Sequence, residues 1–262
     1  MVYIKSQREL DIMRQAGRLV AQILTELSQL VKPGTKLSDL DKKAEQLSVA
    51  VGGSPAFKGY MGYKYSLCTS VNEQVVHGIP SDRALKEGDI VGLDFGLLFN
   101  GLYSDSAVTV PVGQISKQAT QLLRTTMQAL YAAINTATPG KTLKDVGRAI
   151  EQVVNPHGYG IVREFVGHGI GTRLHEDPQI PNFEAAAPNL KLKPGMTLAF
   201  EPMINVGTAD VKILDDRWTA VSVDGSLSAH YEHTIAITED DAEVFTEWDN
   251  LYFNGILDHL ES

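Results

Sequence analysis

A chain of 262 residues has room for one large domain with a sizeable core, and its 43% hydrophobic and 21% charged residues exclude the disordered and fibrous classes. The net charge of −9 argues against broad binding to DNA, RNA or an anionic membrane, and the single cysteine, Cys68, excludes an intramolecular disulfide. No run approaches the roughly 18 apolar residues of a membrane span, and the opening MVYIKSQREL lacks the apolar stretch of a signal peptide, so the expected compartment is the cytoplasm.

The first predicted element is a helix from Ser6 to Val31. Leu10, Met13, Ala16, Val20, Ile23, Leu24 and Leu27 fall at helical spacing, and Ser6 with Glu9 reads as a capping box. KPG at 32–34 stops it, and a second helix is expected from near Ser38. SLCTSVNEQVVHGIP then reads as strand, bounded by Gly78 and Pro80. Asn100-Gly101 is a two-residue hairpin signal joining DIVGLDFGLLF to LYSDSAVTV. A long helix is expected over 118–137, followed by a stop and a further helix in TPGKTLKDVGRAIEQVV, and MTLAFEPMINV reads as one more strand.

This order repeats. KPGTKLSDL matches TPGKTLKDV at an offset of 106, LKEGDIVGLD matches LKPGMTLAFE at 107, and FKGY more weakly matches FVGH at 108. Three matches in order at nearly one offset predict two similar α/β halves, roughly 1–110 and 111–262, packed about a pseudo-twofold axis with a site between them. No Pro/Gly/Ser-rich linker separates the halves, so one domain is expected over 1–262. The second match makes Asp94 and Glu201 equivalent.

Asp94, Glu201 and Glu232 all stand in strand-like, mostly apolar stretches. A carboxylate on a core strand must be neutralised, partnered or bound to a metal, because its desolvation is too costly otherwise. With residues 100 and 101 as the hairpin loop, Phe99 faces Leu102 and Gly96 faces Asp105. Asp94 and Asp105 are then diagonal neighbours on one face, roughly 7–8 Å apart at the backbone, with Gly96 leaving room between them. Two carboxylates so placed would hold a proton unless a divalent cation relieved them.

His168, in GHGIGTRLHEDP, brings the candidate ligands to five: Asp94, Asp105, His168, Glu201 and Glu232. Four carboxylates and one imidazole suit Mn, Fe(II), Co or Zn. The count exceeds what one ion needs and fits two divalent ions serving hydrolysis. The glycines around His168 lack both the GxGxxG spacing and the Lys-Ser/Thr of a phosphate loop.

HGIP at 77–80, GHGIG at 167–171 with His175 seven beyond His168, EP at 201–202 and YEHT at 231–234 closely resemble the type I methionine aminopeptidases of the pita-bread metallopeptidase family. The intervals from Asp94 to Asp105 and from Glu201 to Glu232 also look like the family's. The resemblance implies an α+β pita-bread fold, with two pseudo-symmetric α/β halves around a central antiparallel sheet. It implies that the five ligands hold a dinuclear centre, that Glu201 is the proton shuttle, and that His77 and His175 face the substrate as catalytic residues. Phe57, Tyr60, Tyr63, Cys68, Leu174 and Trp218 would surround the first side chain. The implied activity is removal of methionine from nascent polypeptides whose second residue is small, by a monomer that meets them at the ribosome.

Lys64 stands where the family commonly has proline, and Leu174 where a larger aromatic or Met often stands. With neither the extra N-terminal domain of typical prolidases nor the helical insert of type II enzymes, the compact bacterial form is expected.

Overall fold

The computed structural model of the chain describes residues 2–248; residues 1 and 249–262 of the expected 1–262 domain lie outside it. The first half contains α1 (Gln7–Gln29), α2 (Leu37–Ala50), β1 (Ser54–Pro55), β2 (Cys68–Val71), β3 (Gln74–Val76), β4 (Ile90–Phe99) and β5 (Leu102–Pro111). The second contains α3 (Lys117–Thr136), α4 (Leu143–Val154), β6 (Gly160–Ile161), β7 (Gly167–Gly169), β8 (Glu176–Ile180), β9 (Thr197–Phe200), β10 (Met203–Asn205), β11 (Val211–Ile213), β12 (Ala220–Ser222), β13 (Ser228–His230), β14 (Glu232–Ile237) and β15 (Ala242–Val244).

Local chemistry explains the helix ends. Ser6 accepts from the Glu9 N–H while Glu9 reaches back to Ser6, the expected capping box. Thr142 and Asp145 do the same for α4, and Ser116 caps α3. Gly34 and its counterpart Gly140 both take left-handed φ, of +92° and +87°, which glycine adopts without steric cost after each helix.

A nine-stranded antiparallel sheet runs β1-β4-β5-β14-β9-β7-β8, with β2 also on β4 and β15 on β14. The order is nearly palindromic about the β5–β14 seam, so the pseudo-twofold axis passes there. The repeat is also carried by loops: Lys36 bridges Ala84 as Thr142 bridges Lys191. Gly34 N–H donates to the Leu85 carbonyl as Gly140 N–H does to Leu192. The architecture is therefore α+β, two pseudo-symmetric halves around a central antiparallel sheet.

Strand alternation separates core from site. Leu93, Phe95 and Leu97 of β4 and Val108 and Val110 of β5 join Val20, Ile23, Leu24 and Leu27 of α1 in the core. Leu198, Phe200 and Ile235 meet Leu122, Leu123 and Leu130 of α3 in the same way. Full burial of each such side chain contributes about 1.5–3 kcal/mol. By the period of two, Asp94 and Asp105 project from the opposite face of the sheet, where apolar packing does not claim the space.

Three sequence expectations are corrected. The strand expected over SLCTSVNEQVVHGIP is two strands, because Asn72 turns the chain at φ 58°, leaving β2 on β4 and β3 on β12. MTLAFEPMINV likewise breaks into β9 and β10 around Glu201-Pro202, where proline lacks the N–H that a continuous ladder needs. FKGY and FVGH are not counterparts. Phe57–Tyr60 leads into a 3-10 turn at Tyr60–Gly62, whereas His168 pairs with Ala199 as Ser70 pairs with Gly92, and Gly92 and Ala199 are 107 residues apart. Ser70 is thus the counterpart of His168.

Outside the sheet, the N-terminal segment is strapped down by a buried ion pair. Lys5 Nζ lies 2.7 Å from Glu176 Oε2, with side chains 1% and 6% exposed, and the Lys5 N–H donates to the Gly195 carbonyl. Lys5→Met leaves the Glu176 charge buried without its cation, a loss of about 3–5 kcal/mol. For a chain of this size that lowers the thermal midpoint by on the order of 10 °C. A calorimetric scan showing a change below about 2 °C would contradict the assignment of this pair as a structural tie.

Candidate metal centre and substrate cavity

The β4–β5 register is the expected one, Phe99 opposite Leu102 and Gly96 opposite Asp105. Across three adjacent strands Asp94, Ala107 and Glu232 form one row. Gly96 and Asp105 start the next row, and Thr234 Oγ1 closes it by donating to the Asp105 carbonyl at 2.7 Å while accepting from its N–H at 3.0 Å. Small residues between the carboxylates leave the space open. A Cβ on Gly96 would lie 2.9 Å from both Ala56 Cβ and Phe57 Cε1, so this glycine makes room for the cavity wall as well as for the acids.

Asp105, His168 and Glu232 each present a ligand atom, and all three atoms lie within 4.8 Å of one another. Glu201 joins them with Oε1 3.6 Å from His168 Nε2, and Asp94 lines the same cavity. His168 Nδ1 bonds the Gly169 carbonyl at 2.9 Å, which places the ring proton there and leaves Nε2 with its lone pair toward the carboxylates. Burial pushes the His168 pKa down to about 3, so the ring is neutral, as a metal ligand must be.

Four carboxylates share this floor. Burial raises the pKa of Asp105 to about 7, and burial together with the neighbouring acids pushes Asp94, Glu201 and Glu232 well above the usual carboxylate range. Asp94 Oδ1, Asp105 Oδ1 and Glu232 Oε1 are buried without a hydrogen-bond partner. A buried acceptor with no donor is costly, and acids that repel one another are reconciled by a cation. The donor set of four carboxylates and one imidazole fits one or more divalent ions.

Above the floor is a cavity of about 170 Å³, lined by all thirteen residues that the sequence offers as metal ligands, catalytic groups or pocket wall. Asp94, Asp105, His168, Glu201 and Glu232 make its polar end, and His77 and His175 stand beside them. Phe57, Tyr60, Tyr63, Cys68, Leu174 and Trp218 make the apolar wall. The Tyr63 hydroxyl donates to the Leu67 and Gly78 carbonyls, and its ring meets Trp218 edge-on at 4.9 Å. Burial, with Asp94 nearby, raises the Cys68 pKa, so its sulfur is a neutral thiol against the wall.

His175 Nδ1 bonds the Tyr60 hydroxyl at 2.7 Å, and its ring lies 4.3 Å from that of His168. His77 packs edge-on to Phe165 at 5.2 Å, and burial, reinforced by His175, lowers its pKa to about 4. Both of these cavity-lining imidazoles are thus held neutral, since burial lowers the His175 pKa as well. Lys64 is exposed and does not line the cavity.

Sequence reasoning missed Met61, Phe165 and His230. Met61 lines the mouth, 83% exposed and at φ 49°, a loop position that no periodicity marks. His230 is buried with Nε2 3.7 Å from Glu201 Oε2. Its spacing of two from Glu232 was a usable signal, because that parity puts both on one face of an extended segment.

Residues 11–239 match the model of metallopeptidase family M24. Methionine aminopeptidase 1 of Bacillus subtilis is 49% identical over 94% of this chain and 99% of its own length. The methionine aminopeptidase of Clostridium perfringens is 46% identical at the same coverage. Among solved structures, a methionine aminopeptidase from Thermotoga maritima superimposes with a TM-score of 0.92 at 45% identity, covering 94% of this chain and all of that one. The prolidase from Pyrococcus furiosus, at 24% identity and a TM-score of 0.76 over 94% of this chain and 66% of that one, shares the pita-bread fold alone.

Proposed function

Because the chain belongs to metallopeptidase family M24, we propose that it is a metal-dependent aminopeptidase that removes the N-terminal methionine from polypeptides whose second residue is small. The observation that carries this reading is the joining of four acids and a neutral imidazole to a cavity whose apolar wall includes aromatic rings and the Cys68 sulfur. Asp94, Asp105, His168, Glu201 and Glu232 hold two divalent ions of the Mn, Fe, Co or Zn kind. Such ions supply Lewis acidity to the scissile carbonyl and lower the pKa of water.

The residues of the chain do the rest. Glu201 accepts the proton of the attacking water and passes it to the leaving amine. His175, oriented by Tyr60, donates to the oxyanion that forms on the carbonyl, and His77 contacts the scissile amide nitrogen. The acidic floor draws in the substrate's free α-amino group, so cleavage is confined to the first residue and blocked by formylation.

The first side chain enters among Phe57, Tyr63, Cys68, Leu174, Trp218 and Tyr60. An unbranched thioether follows such a slot and gains about 0.3–1.5 kcal/mol per sulfur–aromatic contact, whereas leucine's branch meets the wall. Both halves contribute ligands, so they act as one catalytic domain. We place it as a monomer in the cytoplasm, acting on nascent chains at the ribosome. Among the described residues no helix is long and apolar enough to cross a membrane.

Kinetics of the Mn- or Co-loaded protein on Met-Ala-Ser, Leu-Ala-Ser, Met-Lys-Ser and an X-Pro dipeptide test this reading. The expected order puts Met-Ala-Ser well ahead of the other three. Equal rates for Met-Ala and Met-Lys, or faster cleavage of Leu-Ala or of the X-Pro dipeptide, would overturn it.

A further inference from the structure

His230 is a buried imidazole that the reaction above does not use. It ends β13 opposite Met203, the first residue of β10, and so stands across from the chain that has just left Glu201. One side chain fixes its backbone at both poles: Thr109 Oγ1 donates to the His230 carbonyl at 2.8 Å and accepts from its N–H at 2.9 Å. The ring is 4% exposed and does not line the cavity.

Its Nε2 is buried without a hydrogen-bond partner and lies 3.7 Å from Glu201 Oε2, while the other oxygen of that carboxylate faces His168 Nε2 at 3.6 Å. Glu201 is therefore flanked by an imidazole on each oxygen. The two are not equivalent, because His168 presents its lone pair and cannot also donate through that atom when neutral.

We propose that His230 is a positioning residue for Glu201, its Nε2–H serving as the donor to Oε2 that fixes the rotation of the carboxylate and so presents Oε1 to the cavity. A shift well within the freedom of a glutamate side chain closes the gap to the roughly 2.9 Å of a normal N–H···O bond. The bond satisfies an otherwise orphaned ring nitrogen, and it leaves Oε1 free for the ion and the proton. The proposal rests on the reading of Glu201 as ligand and proton carrier.

The test uses the full-length protein loaded with Mn, comparing His230→Gln, whose amide N–H reaches about as far as the imidazole Nε2, with His230→Leu, which fills similar space without a donor. Steady-state kinetics on Met-Ala-Ser are combined with calorimetric titration of Mn into the metal-free protein. His230→Gln should stay within about threefold of the parent in kcat, with unchanged Mn affinity. His230→Leu should lose roughly 10- to 100-fold in kcat and in affinity for one Mn equivalent, with KM little changed. In a Glu201→Gln background the His230→Leu loss should disappear, since the two residues act through one bond.

Equal behaviour of the Gln and Leu variants, whether both active or both impaired, would overturn the proposal and leave His230 a space-filling residue. So would a His230→Leu loss of full size in the Glu201→Gln background. Should Glu201→Gln itself keep parental turnover, the reading of Glu201 fails, which is a different result from a silent His230→Leu beside an inactive Glu201→Gln.

Discussion

Glu201→Gln should leave a folded protein whose turnover of Met-Ala-Ser falls by at least the roughly 10²- to 10⁴-fold typical of a lost general acid/base. The substitution keeps the shape and one carbonyl oxygen, so the apolar core behind β9 is untouched. It removes the basic oxygen that lies 3.6 Å from His168 Nε2 and faces the cavity. It also removes one negative charge from a floor of four carboxylates, which weakens the hold on a cation. Both effects act in the same direction on kcat. Turnover within tenfold of the parent, in protein with full metal content, would show that another group handles the proton.

Asp105→Asn and His175→Ala should separate holding the metal from stabilising the reaction. Asp105 is buried and lies with His168 and Glu232 in the tight trio of ligand atoms. Its Oδ1 has no donor to satisfy it. An amide in its place turns a donor group toward the ions, so metal affinity and turnover should fall together. The loss should exceed the roughly 10- to 100-fold that even an outer hydrogen-bond partner of a ligand costs. His175 stands beside the trio and outside it, its Nδ1 tied to Tyr60. Removing its ring should cost on the order of 10² in turnover, as for one oxyanion donor, while the metal stays bound. Elemental analysis and kinetics on the same preparations decide this. If metal is lost with the His175 side chain, that residue is a ligand and not an oxyanion donor.

The features readable in the sequence were those set by local chemistry or strict periodicity. Asn100-Gly101 fixed the β4–β5 register, and with it the shared face of Asp94 and Asp105, because a two-residue turn leaves no freedom in pairing. The Pro-Gly turns and the LKxG stretches revealed the two halves, since each marks the same backbone bend. What escaped depended on partners distant in sequence. The turn at Asn72 and the proline at 202 are local causes of the two breaks, but that the strands on either side join different sheets is something no local pattern states. The FKGY match was misleading because four residues with two identities recur by chance, and only pairing with β9 reveals the true counterpart of His168. His230 shares the period-two spacing with Glu232, but that spacing says nothing of its partner, because Glu201 lies 29 residues away in the chain and only the fold brings its carboxylate beside the His230 Nε2.

The most direct test is to strip the protein with a chelator and return Mn or Co stepwise, following bound metal and Met-Ala-Ser cleavage in the same sample. Activity should be absent at the start and rise with binding, which should saturate at two ions per chain. Full cleavage by protein shown to be metal-free would contradict the centre built from Asp94, Asp105, His168, Glu201 and Glu232.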